Sequence, residues 1–330
     1  MTTRTRYFVI TSLLVLTVGL GTGLLAYYVG APGGFLVDRD GPEELQYVPR
    51  DAALLSYADV REIMTSEIRE KIRRAMPAHA DGQAQFQEQT GINIETDIDH
   101  VVASLQPRAD GTTAGLVVAR GRFSDVKIEA LMREHGAQVE DYNGKRVIEN
   151  HDVPQPVGDT LALTFLEPGL VAIGSGRSVR AAIDLQKSGE NVTHNAELMD
   201  LMRSLDRGNA WTIGRLDLLR TGWQLPPQVA SQLPPITWFS ISSRIDSSIS
   251  GTLRADTRDE ESANNLRDVV RGFLALAKLQ TSSRPELQTL VQSLELGGTG
   301  KTVALTFSVP GAVFDAFGAN RESAEKPPAH

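Results

Sequence analysis

The sequence predicts an α+β fold: antiparallel or mixed sheets with helices packed on one face, arranged as two similar subdomains behind one transmembrane helix. Three observations predict it. Residues 7–30 run for 24 positions without a formal charge. Further on, a short apolar strand, a polar or glycine break and an amphipathic helix recur in that order. Hairpin signals, above all Asn143-Gly144, join neighbouring strand-like stretches and favour antiparallel pairing over a doubly wound sheet.

The uncharged run is long enough to cross a bilayer, which takes about 20 residues. Twelve of its residues are Leu, Ile, Val or Phe, worth about 4–7 kcal/mol of insertion free energy before Gly, Ser and Thr offset part of it. Tyr7 and the Tyr27–Tyr28 pair sit where interfacial aromatics belong. A cleaved signal peptide would have an apolar region of about 7–15 residues and a small-x-small site. Here the run is longer, and the nearest such site, Val29-Gly30-Ala31, is followed by Pro32. Arg4 and Arg6 precede the run, while Asp38, Arg39, Asp40, Glu43 and Glu44 follow it, so the N-terminus is expected to stay in the cytoplasm. Gly19 and Gly23 form a GxxxG pair through which two such helices can approach closely, a route to self-association.

The expected division is a cytoplasmic tail (1–6), the span (7–30), a linker (31–44), a first subdomain (45–190), a second (191–318) and a disordered tail (319–330). The first strand is expected at Ala53–Tyr57, followed by one helix from Asp59 to Met76 with Val60, Ile63, Met64, Ile68, Ile72 and Ala75 as its apolar stripe. A strand at Gly115–Phe123 leads to a helix capped by Ser124 and ended by Gly136. A similar strand at Gly169–Arg177 leads to a helix ending near Lys187 and Gly189, which hints at an internal repeat. In the second half, a strand at Trp211–Leu219 and two more within Thr237–Asp256 precede a long helix, Asp259–Leu279. Its core face is read as Leu266, Val269, Val270, Phe273, Leu274 and Ala277. Ser283 and Glu286 have capping-box spacing for a second helix, and a hairpin follows from Ser293 to Val309.

Composition narrows the chemistry. With no cysteine, disulfides, thiol nucleophiles and thiolate metal sites are excluded. Net charge is −8, and only Arg4 and Arg6 are charged in the first thirty residues, so the remainder carries about −10 and no nucleic-acid partner is expected. Gly297–Thr302 (GGTGKT) resembles a phosphate loop, but Glu295 stands where its first glycine belongs and a strand follows it. A hairpin turn explains it better. Asp97, Asp99 and His100 could bring metal ligands together, yet an acid-rich first turn of a helix accounts for them better. Asp256, Asp259, Glu260 and Glu261 read as the start of the long helix. Ser175 lies between glycines without the full nucleophile-elbow pattern and reads as a cap. Arg69, Lys71, Arg73 and Arg74, interleaved with Glu62, Glu67 and Glu70, read as a solvated face. Trp211, Trp223 and Trp238 are expected in or beside core strands, with a ligand groove as the other reading.

The strings at 47–60 (YVPRDAALLSYADV), 121–123 (GRF), 142–147 (YNGKRV) and 169–185 (GLVAIGSGRSVRAAIDL) resemble a loose class of bacterial envelope proteins with one N-terminal anchor and a repeated strand–helix domain. The resemblance covers roughly residues 45–190. It implies a bacterial envelope location and supplies no catalytic residue; with the apolar run and its flanking charges, the expected place is the inner membrane, with the main domain outside the cytoplasm. No catalytic, cofactor or metal residue is assigned from the sequence. The expectation is a non-enzymatic interaction, assembly or sensing module with an envelope protein partner; a ligand- or lipid-binding domain and a hydrolase with a spatially assembled site are the alternatives.

Overall fold

A computed structural model describes residues 41–75, 87–88, 91–150, 160–206, 208–219, 234–280 and 285–313. The apolar run 7–30 with its GxxxG pair, Trp223, Ser283 and the tail 319–330 lie outside the described residues. Among the described residues no helix is long and apolar enough to cross a membrane.

The first described element is a 3-10 turn, Glu43–Tyr47, here the opening turn. Then come β1 (Leu54–Ala58), α1 (Val60–Met64), α2 (Glu67–Ala75), α3 (Ile94–Asp97), β2 (Ile98–Pro107) and β3 (Thr113–Gly121). They are followed by α4 (Asp125–Glu134), β4 (Gln138–Tyr142), β5 (Lys145–Asn150), β6 (Leu161–Glu167), β7 (Leu170–Ser175), α5 (Gly176–Ser188), a short turn Val192–His194, and α6 (Ala196–Ser204). The remainder is β8 (Ala210–Arg215), α7 (Leu216–Leu219), β9 (Ile236–Ile245), β10 (Ser248–Thr257), α8 (Glu260–Gln280), α9 (Pro285–Gln292), β11 (Glu295–Gly297) and β12 (Thr302–Pro310). The class is α+β, as the hairpin signals indicate.

The chain forms two compact units. The first holds the described residues up to Arg61 and those within Ala78–Ser204; the second holds those within Glu62–Pro77 and from Leu205 onward. The division therefore falls after Ser204 rather than near residue 190. The reason is local: Val192 N–H donates to the Val48 carbonyl at 2.8 Å, Pro49 and Asn191 form an isolated bridge, and Leu198, Met199 and Met202 of α6 are buried.

In the first unit the strand order is β1-β2-β3-β7-β6-β5-β4, with every neighbour antiparallel. Its core gathers Leu116 and Val118 of β3, Ala162 and Leu166 of β6, Leu170 and Ala172 of β7, and Val179, Ala182 and Ile183 of α5. Tyr47 of the opening turn completes it. The local rules hold well here. Asn143 and Gly144 take positive φ of 54° and 81° and close the β4–β5 hairpin. Ser124 and Ser175 cap α4 and α5, and Gly189 ends α5 in the left-handed region.

In the second unit the order is β11-β12-β10-β9-β8, again antiparallel throughout. The first half of α8 lays Ala263 and Leu266 on Val303, with Val270, Ala255, Ile236 and Leu296 around them.

Three expectations are corrected. The helix read as continuous from Asp59 to Met76 breaks into α1 and α2 at Thr65–Ser66, because the buried Ser66 hydroxyl accepts from Arg69 N–H and starts a new helix. Asp97 lies with Glu95 in the short helix α3 as expected, but Asp99 and His100 lie on β2, where ladder pairing with β3 overrides the helical reading. Phe273, read as core, is 49% exposed, because the second half of α8 is not covered by its sheet.

Candidate functional site

The most concentrated buried polar chemistry among the described residues lies under the opening turn. Pro42, with φ near −68°, starts a 3-10 turn in which Leu45 N–H bonds the Pro42 carbonyl. This geometry turns Leu45 and Tyr47 into the core, and Glu44 goes with them at 1% exposure. The last two residues of the expected linker, Glu43 and Glu44, are thus part of the folded body.

Two neighbouring strands meet Glu44. In the β2–β3 ladder His100 stands directly opposite Arg120, so imidazole and guanidinium share one face of the sheet. Arg120 Nε donates to Glu44 Oε1 at 2.5 Å, and His100 Nε2 lies 2.9 Å from Glu44 Oε2. Arg120 Nη2 is 4.0 Å from both Glu43 and Glu167. One turn position further on, the Tyr47 hydroxyl donates to Glu167 Oε1 at 2.5 Å and accepts from Gln186 Nε2 at 3.3 Å. The Tyr57 ring lies 5.8 Å from that of His100.

Electrostatics fix the charge states. Burial pushes the Glu44 carboxyl up, but the hydrogen bonds and charges of His100 and Arg120 outweigh it and hold the group at about 2. Burial and the Glu167 carboxylate push the Tyr47 phenol well above its ordinary range. Burial lowers Arg120, yet Glu44, Glu167 and Glu43 raise it on balance. A general base works best with a pKa near the operating pH. Near neutral pH Glu44 is thus held ionised and Tyr47 protonated, and both fasten the turn to the strands beneath it.

A second cluster surrounds Arg180 of α5. Its guanidinium bonds Glu149 at 2.6 Å and Glu140 at 2.7 Å and covers the Tyr142 ring, whose hydroxyl donates to Asp184. This ties the β4–β5 hairpin to α5. An open depression of about 540 Å³ lies beside the opening turn, lined by Pro49, Arg50, Asp51, Glu190, His194, Asn195 and Ala196.

The residues singled out from the sequence are dispersed. Asp97 pairs with Arg122, Asp99 with Arg61, and His100 with Glu44, so the suspected metal trio has three separate partners. Among the described residues no group of three or more His, Asp or Glu could hold a metal. GGTGKT forms the β11–β12 hairpin turn, with Gly298 and Gly300 at positive φ. Asp259 accepts from Ser262 N–H at the start of α8, and Asp256 accepts from the Thr302 hydroxyl. Trp211 and Trp238 are buried in the sheet of the second unit, Trp238 under the Arg215 guanidinium. Asn191 is buried and accepts hydrogen bonds from the Thr193 N–H and hydroxyl. The sequence reading missed the pairing of Glu44 with Arg120. A carboxylate following an apolar run and a linker looks like solvent-facing charge until β3 is laid beneath it.

No protein family matches the sequence. Neither the curated proteins nor the solved structures contain a match.

Proposed function

We propose that the protein is a single-pass, membrane-anchored module whose folded part lies outside the cytoplasm and acts through protein contacts in assembly or sensing at the bacterial inner membrane. The observation that carries this reading is the clamped opening turn. A flexible tether needs no buried ion pair, whereas here the end of the expected linker and the turn it enters are fastened by Glu44, Arg120, His100, Tyr47 and Glu167. Such a clamp fixes the point at which the chain enters the first unit. The charge states of Glu44 and Tyr47 favour this structural role over catalysis.

The test is affinity purification of the full-length chain in mild detergent, followed by mass spectrometry. A stoichiometric membrane or envelope protein is the expected result. A chain that elutes repeatedly without a partner overturns the adaptor reading. The alternative of a ligand-binding domain draws on the depression beside Arg50 and His194, whose rim carries the charged side chains of Arg50, Asp51 and Glu190. A ligand that raises the melting temperature of the wild-type chain but not of a His194→Ala variant would support it.

A further inference from the structure

We propose that the second half of α8 is a docking surface for a lipid bilayer. This rests on the membrane-anchored reading above and adds a second, peripheral contact to it. The helix has two different halves. Ala263 and Leu266 are buried in the core of the second unit, whereas Phe273, Leu276 and Leu279 are 49%, 51% and 74% exposed. With about 3.6 residues per turn, Val269, Phe273 and Leu276 line one flank, and Gly272 and Leu279 border it. A side chain at Gly272 would meet open space, so nothing from the described fold covers this flank there.

Charge indicates which occupant suits this flank. Arg271 and Lys278 fall on the other side of the helix, as does Arg267, which bonds the Gly300 and Thr302 carbonyls, while Asp268 borders the flank beside Leu279. From Val269 to Pro285 there is no Asp or Glu, in a chain whose net charge is −8. The stretch is therefore a local basic island, with Phe and Leu on one side and Lys and Arg on the other, the arrangement of a helix lying in a membrane interface. Arg271 pairs with Asp268 at 2.8 Å, but both are well exposed, and such a pair contributes little that a headgroup could not replace. An interface helix of this size binds weakly by itself. On a chain already held at a bilayer, the high effective concentration makes a weak contact sufficient.

The chain has no cysteine, so one introduced cysteine gives a unique label. Full-length Leu276→Cys, carrying a bimane, is reconstituted into phosphatidylcholine vesicles containing phosphatidylglycerol and doxyl-labelled lipid. Val126→Cys, at an exposed position on α4 of the first unit, is the reference. Lipid-borne quenching several-fold stronger at 276 than at 126 is expected, and Phe273→Gln in the labelled 276 chain should reduce it. Equal quenching at both positions overturns the proposal. Energy transfer between labelled copies without lipid quenching also overturns it and assigns the flank to a second copy. A carbonate wash separates the two readings: if it strips the chain from the vesicles the anchor reading fails and this proposal with it, whereas a retained chain with an aqueous probe sinks only the docking surface.

Discussion

Only 1% of Glu44 meets solvent, so Arg120 and His100 set the energetics of the opening turn. Removing one partner of a buried pair costs more than the pair is worth, because the other charge is stranded. Arg120→Met, which strands Glu44, should cost about 3–5 kcal/mol. Glu44→Gln strands groups that still reach water and should cost about 2–3 kcal/mol. Urea unfolding of the two variants checks the order. The pH dependence follows from Glu44 as well. Its folded value of about 2 lies below the ordinary 4.5, so its contribution is present above 4.5 and is lost as pH falls through 2. The loss amounts to about 3 kcal/mol, and Glu44→Gln should flatten the acid limb of stability against pH. Tyr47 has the opposite sense. Its phenol is raised above the ordinary 10.0, so the unfolded chain ionises first and stability falls as pH rises past that value. Tyr47→Phe should remove this alkaline loss.

At the scale of single elements, β7 and α5 show how a short string can carry several constraints. A Cβ at Gly174 would overlap the Gly115 carbonyl oxygen of the neighbouring strand β3. Ser175 accepts from Ser178 N–H to cap α5 and also receives Arg108 Nη2 at 3.0 Å. Ser175→Ala should cost about 1 kcal/mol as a lost cap. Gly174→Ala should cost more, because backbone rather than a flexible side chain must move; thermal unfolding of the pair tests the ranking. In α8, Leu266→Ala should cost about 2–4 kcal/mol, while Phe273→Ser should stay within about 0.5 kcal/mol. Similar losses from both would place Phe273 in the core after all. From sequence these two residues are indistinguishable, since both fall on the broad apolar arc of one helix. Only the extent of the sheet beneath them decides which is buried.

For the whole molecule, the expectations concern location and partners. A reporter active only outside the cytoplasm, fused after Gly318, should be active, and a reporter active only inside should be silent. The reverse pattern would invert the orientation drawn from Arg4 and Arg6. The α+β class of the fold was legible. Recurring strand–helix strings and the Asn143-Gly144 turn indicate antiparallel α+β architecture, because turn chemistry and periodicity are local properties. The placement of α2 with the second unit, against strands far along the chain, was not legible, since it depends on Ile68 N–H meeting the Asp246 carbonyl at 3.2 Å.

The sequence by itself determined the α+β class, the caps at Ser124, Ser175 and Asp259, and the turns at Asn143-Gly144 and Gly297–Thr302, because each depends on residues within a few positions of one another. The exclusion of disulfide and thiol chemistry needed only the count of cysteines. Tertiary structure alone decided that Glu44 is buried, that Asp97, Asp99 and His100 go to three different partners, and that Phe273 stays exposed. Each of these is settled by what a distant strand or sheet edge brings alongside: Glu44 and Arg120 are 76 positions apart, and no local periodicity encodes their contact.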